Sequence, residues 1–208
     1  MKNMKLFIWD FDGTLLDTYR NTTGYFRQAL LDFGYDVSLT DILEKMMENL
    51  PFAIAYYSDL YALPELGKRY NEYASAESSA PVSVFPGVVE VLRRVQEIGA
   101  DNYIFTNRGS TIYPLLEKTG ILGEFREIVT AEDPEFVVKP APDVILYLMK
   151  KYGGTIDNTV MIGDRCCDLE SGYNAGCRTC HLLTPAVPQY PPCDFRISNF
   201  AEMLEMLK

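Results

Sequence analysis

Two carboxylates stand one residue apart in Trp9-Asp10-Phe11-Asp12-Gly13-Thr14, directly after the apolar run Leu6-Phe7-Ile8-Trp9. Like charges at the end of a buried-looking segment suit a site that binds a cation and works on a phosphate. Taken alone, Asp-x-Asp is just as common in a solvated turn. Further polar residues fall at corresponding places along the chain. Thr106-Asn107 follows Tyr103-Ile104-Phe105, Lys139 comes one loop after Glu127-Ile128-Val129, and Asp164 and Asp168 follow Thr159-Val160-Met161-Ile162. Asp10, Asp12, Asp164 and Asp168 gathered at one place repel one another unless a cation neutralises them. All-oxygen ligation favours Mg²⁺ over zinc or copper. One of the carboxylates can then act as nucleophile, as in aspartyl-phosphate chemistry. Thr106, Asn107 and Lys139 form the expected phosphate-binding set, the threonine as hydroxyl donor and the lysine as positive charge.

For these residues to meet, the apolar runs must be neighbouring strands. Hydrophobic runs alternate with amphipathic segments, the pattern of βα units and a parallel sheet. Strands are expected over 6–9, 103–105, 127–129, 159–162 and 178–183. In open parallel sheets ligands bind beyond the carboxyl ends of the strands, which puts every residue named above on one edge. Helices are expected from Pro86 to Gly99 with Val88, Val91, Leu92, Val95 and Ile98 on one side, over 111–119, and from Pro142 to Gly153. Another ends near Gly176; if it already includes Asp164, its i,i+4 spacing puts Asp164 and Asp168 on one face. Asn199 with Glu202 predicts a capping box on a last short helix, and "TPAVPQYPPCD" reads as a Pro-rich loop. Residues 17–81 break the rhythm. They offer no clear strand but several helical segments rich in Tyr, Phe and Leu, punctuated by Gly34 and Pro51. The expected organisation is a core of 1–16 and 82–208 with a helical insertion at 17–81.

The four motifs in order, "DFDGT", "FTN", "VVKPAPD" and "MIGDRCCD", are similar to those of the haloacid dehalogenase (HAD) superfamily. Within it the chain resembles the phosphoglycolate phosphatase-like hydrolases that carry a helical cap after the first motif. The resemblance implies an α/β fold, a Rossmann-like parallel sheet with an inserted all-helical cap domain, and covers nearly the whole chain. It implies Asp10 as the nucleophile that forms an aspartyl phosphate and Asp12 as the general acid/base. It also implies Mg²⁺ held by Asp10, by the backbone carbonyl of Asp12 and by Asp164, with Asp168 acting through water or behind the ligands. Thr106 and Lys139 would hold phosphoryl oxygens. Haloacid dehalogenases proper lack a second Asp, because halide needs no proton; Asp12 therefore favours phosphate esters.

Composition narrows the function classes. The 208 residues carry a net charge of −10, with no Lys/Arg cluster for nucleic acid. No run approaches the roughly 18 apolar residues of a membrane span. Five cysteines, 166, 167, 177, 180 and 193, read as reduced thiols of a cytoplasmic protein rather than a disulfide framework. Cys177-Arg-Thr-Cys180-His181 fits the CxxCH of haem attachment, but buried thiols on a strand are the expected reading. The expected ligand is a small phosphorylated metabolite: phosphoglycolate, a sugar phosphate or a nucleotide. Cap closure would exclude water, with hinges at Asp17-Thr18 and residues 81–85. Of the cap aromatics Tyr19, Tyr25, Phe26, Phe52, Tyr56, Tyr57 and Tyr61, most are expected in helix packing. A phosphosugar mutase is disfavoured because the sole histidine, His181, lies outside the cap. The sequence is also compatible with a phosphonatase that uses Lys45 or Lys68 as its amine, and with a non-catalytic phosphate-binding protein. It leaves oligomeric state open.

Overall fold

A computed structural model describes residues 1–75, 82–184 and 192–208. Position 81 of the expected hinge and 185–191 of the Pro-rich loop lie outside the described residues. The chain divides into two compact units, Met1–Asp17 with Ser83–Lys208, and Thr18–Val82.

The first unit is built on six parallel strands in the order β3-β2-β1-β4-β5-β6. They are β1 (Leu6–Trp9), β2 (Asp101–Phe105), β3 (Glu127–Val129), β4 (Thr159–Gly163), β5 (Arg178–Leu182) and β6 (Phe195–Ile197). Every residue of β1 and β4 is buried, which is why these strands read as unbroken apolar runs instead of alternating ones. Alternate side chains still leave opposite faces. Leu6 and Ile8 join Tyr103, Phe105, Val144, Ile145, Leu148 and Met161 in one core cluster. On the other face Trp9 lies 6.2 Å from the Phe200 ring, and its indole N–H donates to Asn102 Oδ1 at 2.9 Å. Each such side chain contributes roughly 1.5–3 kcal/mol by leaving water.

Register then sets the site. Trp9 pairs with Ile104 on one side and Ile162 on the other, so the residues that follow these strands emerge together. Strand order reverses at β1 and β4, the position at which doubly wound sheets open a crevice. The helices of this unit are α5 (Val88–Glu97), α6 (Ile112–Thr119), α7 (Asp143–Tyr152), α8 (Cys166–Asn174) and α9 (Phe200–Met206). The chain leaves and re-enters through an antiparallel bridge of Leu16 with Val84, tied by Asp17 N–H donating to Ser83 O at 3.1 Å.

The second unit holds α1 (Tyr19–Asp32), α2 (Leu39–Glu48), α3 (Leu50–Tyr61) and α4 (Leu66–Ala74). Ser38 caps α2 by accepting from Asp41 N–H at 3.1 Å, and Asn49 caps α3 by accepting from Phe52 N–H at 2.8 Å. Its core centres on Phe26, whose ring lies 5.6 Å from both Tyr57 and Tyr70. Phe52 and Tyr56 of α3 are exposed instead. No helix among the described residues is long and apolar enough to cross a membrane.

Four details differ from the sequence expectation. Pro86 does not open α5; the helix starts at Val88 after Gly87, whose φ is 90°. A Cβ at Gly87 would come within 2.9 Å of Phe200 Cβ, so this turn accepts only glycine. Strand β6 was not expected, because its three residues follow a Pro-rich run. At α9 Asn199 accepts from Glu202 N–H at 3.1 Å, but the Glu202 carboxylate returns to Ser198 N–H at 2.8 Å. Asp164 is not helical. It follows directly on β4, two residues before α8 begins.

Candidate active site

Asp10 is the first residue beyond β1, and its N–H donates to Ile162 O at 2.8 Å, continuing the ladder to β4. Gly13, at φ 79°, turns the chain back on itself. The turn brings Thr14 against Asp164, and its hydroxyl donates to Asp164 Oδ1 at 3.1 Å. Thr106 is the first residue beyond β2, with its N–H on Val129 O at 3.1 Å. Asp10, Thr106, Lys139, Asp164 and Asp168 are all buried.

The charges meet at Lys139. Its ammonium lies 2.5 Å from Asp10 Oδ1 and 2.5 Å from Asp168 Oδ1. Asp168 Oδ2 accepts from Arg165 N–H at 3.0 Å at the start of α8, and Gly163 gives the Asp168 side chain its room, since a Cβ there would overlap it. Asp164 and Asp168 thus converge from a strand end and a helix start, not from one helix face.

Burial raises the Asp10 carboxyl to about 6, helped by the negative charge of Asp168 and opposed by Lys139 and Arg165. Burial pulls the Lys139 ammonium the other way, but Asp10 and Asp168 outweigh it and hold the lysine charged above its ordinary range. Asp10 Oδ2 is buried and has no hydrogen-bond partner among the described residues. Asp10, Asp164 and Asp168 each offer a ligand oxygen, all within 4.8 Å of one another. Hard oxygen donors around an unsatisfied carboxylate oxygen fit Mg²⁺.

Asn107 sits differently from its expected phosphate partners. Its Oδ1 accepts from Lys139 N–H at 2.8 Å and its Nδ2 donates to Lys139 O at 3.1 Å. Both ends of the carboxamide hold the backbone that carries the lysine. Asp12 is also placed apart from the buried cluster. Its carboxylate lies in the fork of Arg108, with Nη2 2.7 Å from Oδ1 and Nε 3.1 and 3.0 Å from Oδ1 and Oδ2. Sequence reasoning missed Thr14 and Arg108. Both stand inside or beside quoted motifs, and position beside a motif residue was the available signal.

The CxxCH stretch lies on and just before β5. Cys177 and Cys180 are buried, and burial pushes the Cys177 thiol up to about 12. The His181 ring Nε2 is 3.3 Å from Asp164 O, with burial lowering its pKa.

A family model described as "Haloacid dehalogenase-like hydrolase" matches residues 7–182. A phosphoglycolate phosphatase of Vibrio parahaemolyticus is 27% identical over 225 residues, covering 99% of this chain and 97% of its own. The pyrophosphatase PpaX of Oceanobacillus iheyensis is 26% identical over 179 residues, covering 85% of this chain and 82% of its own. Among solved structures, a "predicted phosphoglycolate phosphatase" from Haemophilus somnus 129pt superposes with a TM-score of 0.85 at 21% identity, over all of both chains. That last likeness is one of fold.

Proposed function

The chain belongs to the haloacid dehalogenase-like hydrolase family, and on that premise we propose that it is a Mg²⁺-dependent phosphatase of small phosphate monoesters, working in the cytoplasm through a phosphorylated Asp10. The observation that carries this reading is Asp10 itself. One oxygen is fixed by Lys139, while the other is buried, without a partner among the described residues, at a strand end where the sheet order reverses. A carboxylate that bound only a lysine would have no need of an unsatisfied second oxygen, since leaving one buried costs about 1–3 kcal/mol or more.

In the proposed reaction Asp10 attacks phosphorus in line and the ester oxygen leaves. Asp12 gives that oxygen its proton, then takes one from the water that hydrolyses the aspartyl phosphate. Thr106 donates to a phosphoryl oxygen and Lys139 offsets its charge. Asn107 stays in the proposed phosphate-binding set, and its carboxamide also aims Lys139 by holding the lysine's backbone. Asp10, the Asp12 carbonyl and Asp164 would hold Mg²⁺, with Asp168 behind them. When bound, the cation supplies charge stabilisation to the transferring phosphoryl group. The helical unit Thr18–Val82, inserted between Asp10 and the rest of the parallel unit in the chain, is proposed as the cap domain.

The relative named phosphoglycolate phosphatase supports the phosphate-ester reading, and the one named pyrophosphatase supports phosphoryl hydrolysis more broadly. The test is phosphate release from a panel of phosphorylated metabolites, with and without Mg²⁺, using Asp10→Asn as the blank. Metal-dependent turnover absent from the blank is expected. Equal release by wild type and blank would overturn the proposal.

A further inference from the structure

His181 closes the CxxCH stretch and is the sole histidine of the chain. It is buried on β5, and the phosphatase reading gives it no part in the reaction. Its backbone is fixed on both sides, paired with Gly163 of β4 and with Arg196 of β6. The pairing of β4 with β5 ends at Gly163, so Asp164 is the first residue past it. The ring reaches across that step, and Nε2 meets Asp164 O at 3.3 Å. A carbonyl oxygen only accepts, so this contact places the proton on Nε2 and fixes the tautomer.

The Asp164 carbonyl and the Arg165 N–H are the two ends of one peptide group. That peptide is trans, so its C=O and N–H point in opposite directions. At one end the oxygen accepts from His181; at the other the N–H donates to Asp168 Oδ2 at 3.0 Å. Lys139 already holds Asp168 Oδ1 at 2.5 Å, so this N–H sets how the rest of the carboxylate is turned. The Asp164 side chain springs from the same peptide, and its Oδ1 accepts from the Thr14 hydroxyl at 3.1 Å. Rotating the peptide therefore displaces two of the three carboxylates that offer ligand oxygens within 4.8 Å of one another. Donation to the C=O also polarises the peptide and strengthens its N–H as a donor to Asp168.

We propose that His181 is a positioning residue for the cation site: by donating from Nε2 to Asp164 O it locks the Asp164–Arg165 peptide, and so holds Asp164 and Asp168 in register with each other. This deepens the phosphatase reading and rests on its Mg²⁺ site. Groups that orient metal-binding side chains affect affinity for the metal nearly as strongly as the ligands do. His181 acts through the peptide and not on the ester, so its removal weakens cation binding and leaves affinity for the ester in place.

The experiment titrates Mg²⁺ into the full chain by isothermal calorimetry. Wild type is compared with His181→Phe, which fills the space without a donor, and with His181→Gln, whose carboxamide N–H can take the place of Nε2–H. Urea unfolding in EDTA, read by Trp9 fluorescence, separates a loss of stability from a loss of affinity. His181→Phe is expected to bind Mg²⁺ about 10-fold or more weakly, and His181→Gln within about threefold of wild type. At saturating Mg²⁺ the KM for an ester stays within about twofold in both variants. Equal Mg²⁺ affinity in wild type and His181→Phe, or His181→Gln as weak as His181→Phe, overturns the inference and leaves the phosphatase reading standing. A wild type that binds no Mg²⁺ overturns the metal-dependent reading and this inference with it. A further measurement needs no variant, because the sole histidine gives a single ring spin system in ¹H–¹⁵N NMR. A proton on Nε2 is expected; a proton on Nδ1 alone overturns the inference, even where His181→Phe fails to fold.

Discussion

Replacing Lys139 with Met removes the ammonium between Asp10 and Asp168 and keeps much of the side chain's apolar length. The three side chains are at most 1% exposed, and Nζ lies 2.5 Å from each carboxylate. Deleting one partner of a buried pair costs about 3–5 kcal/mol, because the remaining charge cannot reach water. Here two carboxylates are left, so a loss toward the top of that range is expected near neutral pH without divalent cations. The pH dependence follows from Asp10, which burial and then Asp168 already raise to about 6 with Lys139 in place. A carboxyl raised on folding contributes stability that is fully present below its unfolded value of about 4 and is lost as pH rises through its folded value. Without Lys139 that folded value climbs further, so the loss extends to higher pH. The gap between variant and wild type therefore narrows on acidification to about pH 5. Mg²⁺ narrows it too, since a ligand at one hundred times its Kd adds about 2.7 kcal/mol and the variant's site is the more negative. Urea unfolding followed by tryptophan fluorescence measures this directly. Trp9 is the sole tryptophan and is buried on β1, so the signal reports the parallel unit. A Lys139→Met protein within about 0.5 kcal/mol of wild type in EDTA near neutral pH would refute the reasoning.

Asn107→Ala removes both ties to the Lys139 backbone, each worth about 1 kcal/mol. Turnover is expected to fall about 10- to 100-fold in steady-state assays, and unchanged turnover would mean the lysine needs no anchor. Gly163→Ala drives a methyl into the Asp168 side chain, so the Mg²⁺ concentration for half-maximal activity should rise about tenfold or more. An unaltered Mg²⁺ titration would show that Asp168 tolerates displacement. Asp12→Ala should slow esters of ordinary alcohols about 100-fold or more and activated aryl phosphates far less; equal losses on both would count against the acid role.

Much of the fold was legible because the central strands are buried on both faces. Leu6–Trp9 and Thr159–Gly163 are apolar runs for that reason, and the polar residues that close them announce a strand end. Strand β6 was illegible, since its three residues carry no periodicity and their burial depends on pairing with β5. The convergence of Asp164 and Asp168 was foreseen from helical spacing, but the structure produces it by a strand end meeting the first turn of α8. Arg108 shows the limit most clearly. Its contact with Asp12 spans 96 residues, and no local pattern encodes a pairing that only the β1–β2 register creates. The dual hold of Asn107 on the Lys139 backbone was hidden for the same reason, because a side chain that reads as a ligand donor can equally serve a neighbouring loop.

The most direct measurement is to quench the enzyme in acid during turnover with Mg²⁺ and a good ester, and to map the phosphoryl group by peptide mass spectrometry. The account predicts a hydroxylamine-labile phosphoryl adduct on Asp10, absent in Asp10→Asn together with phosphate release. Steady release by Asp10→Asn, or an adduct on any other residue, would contradict it.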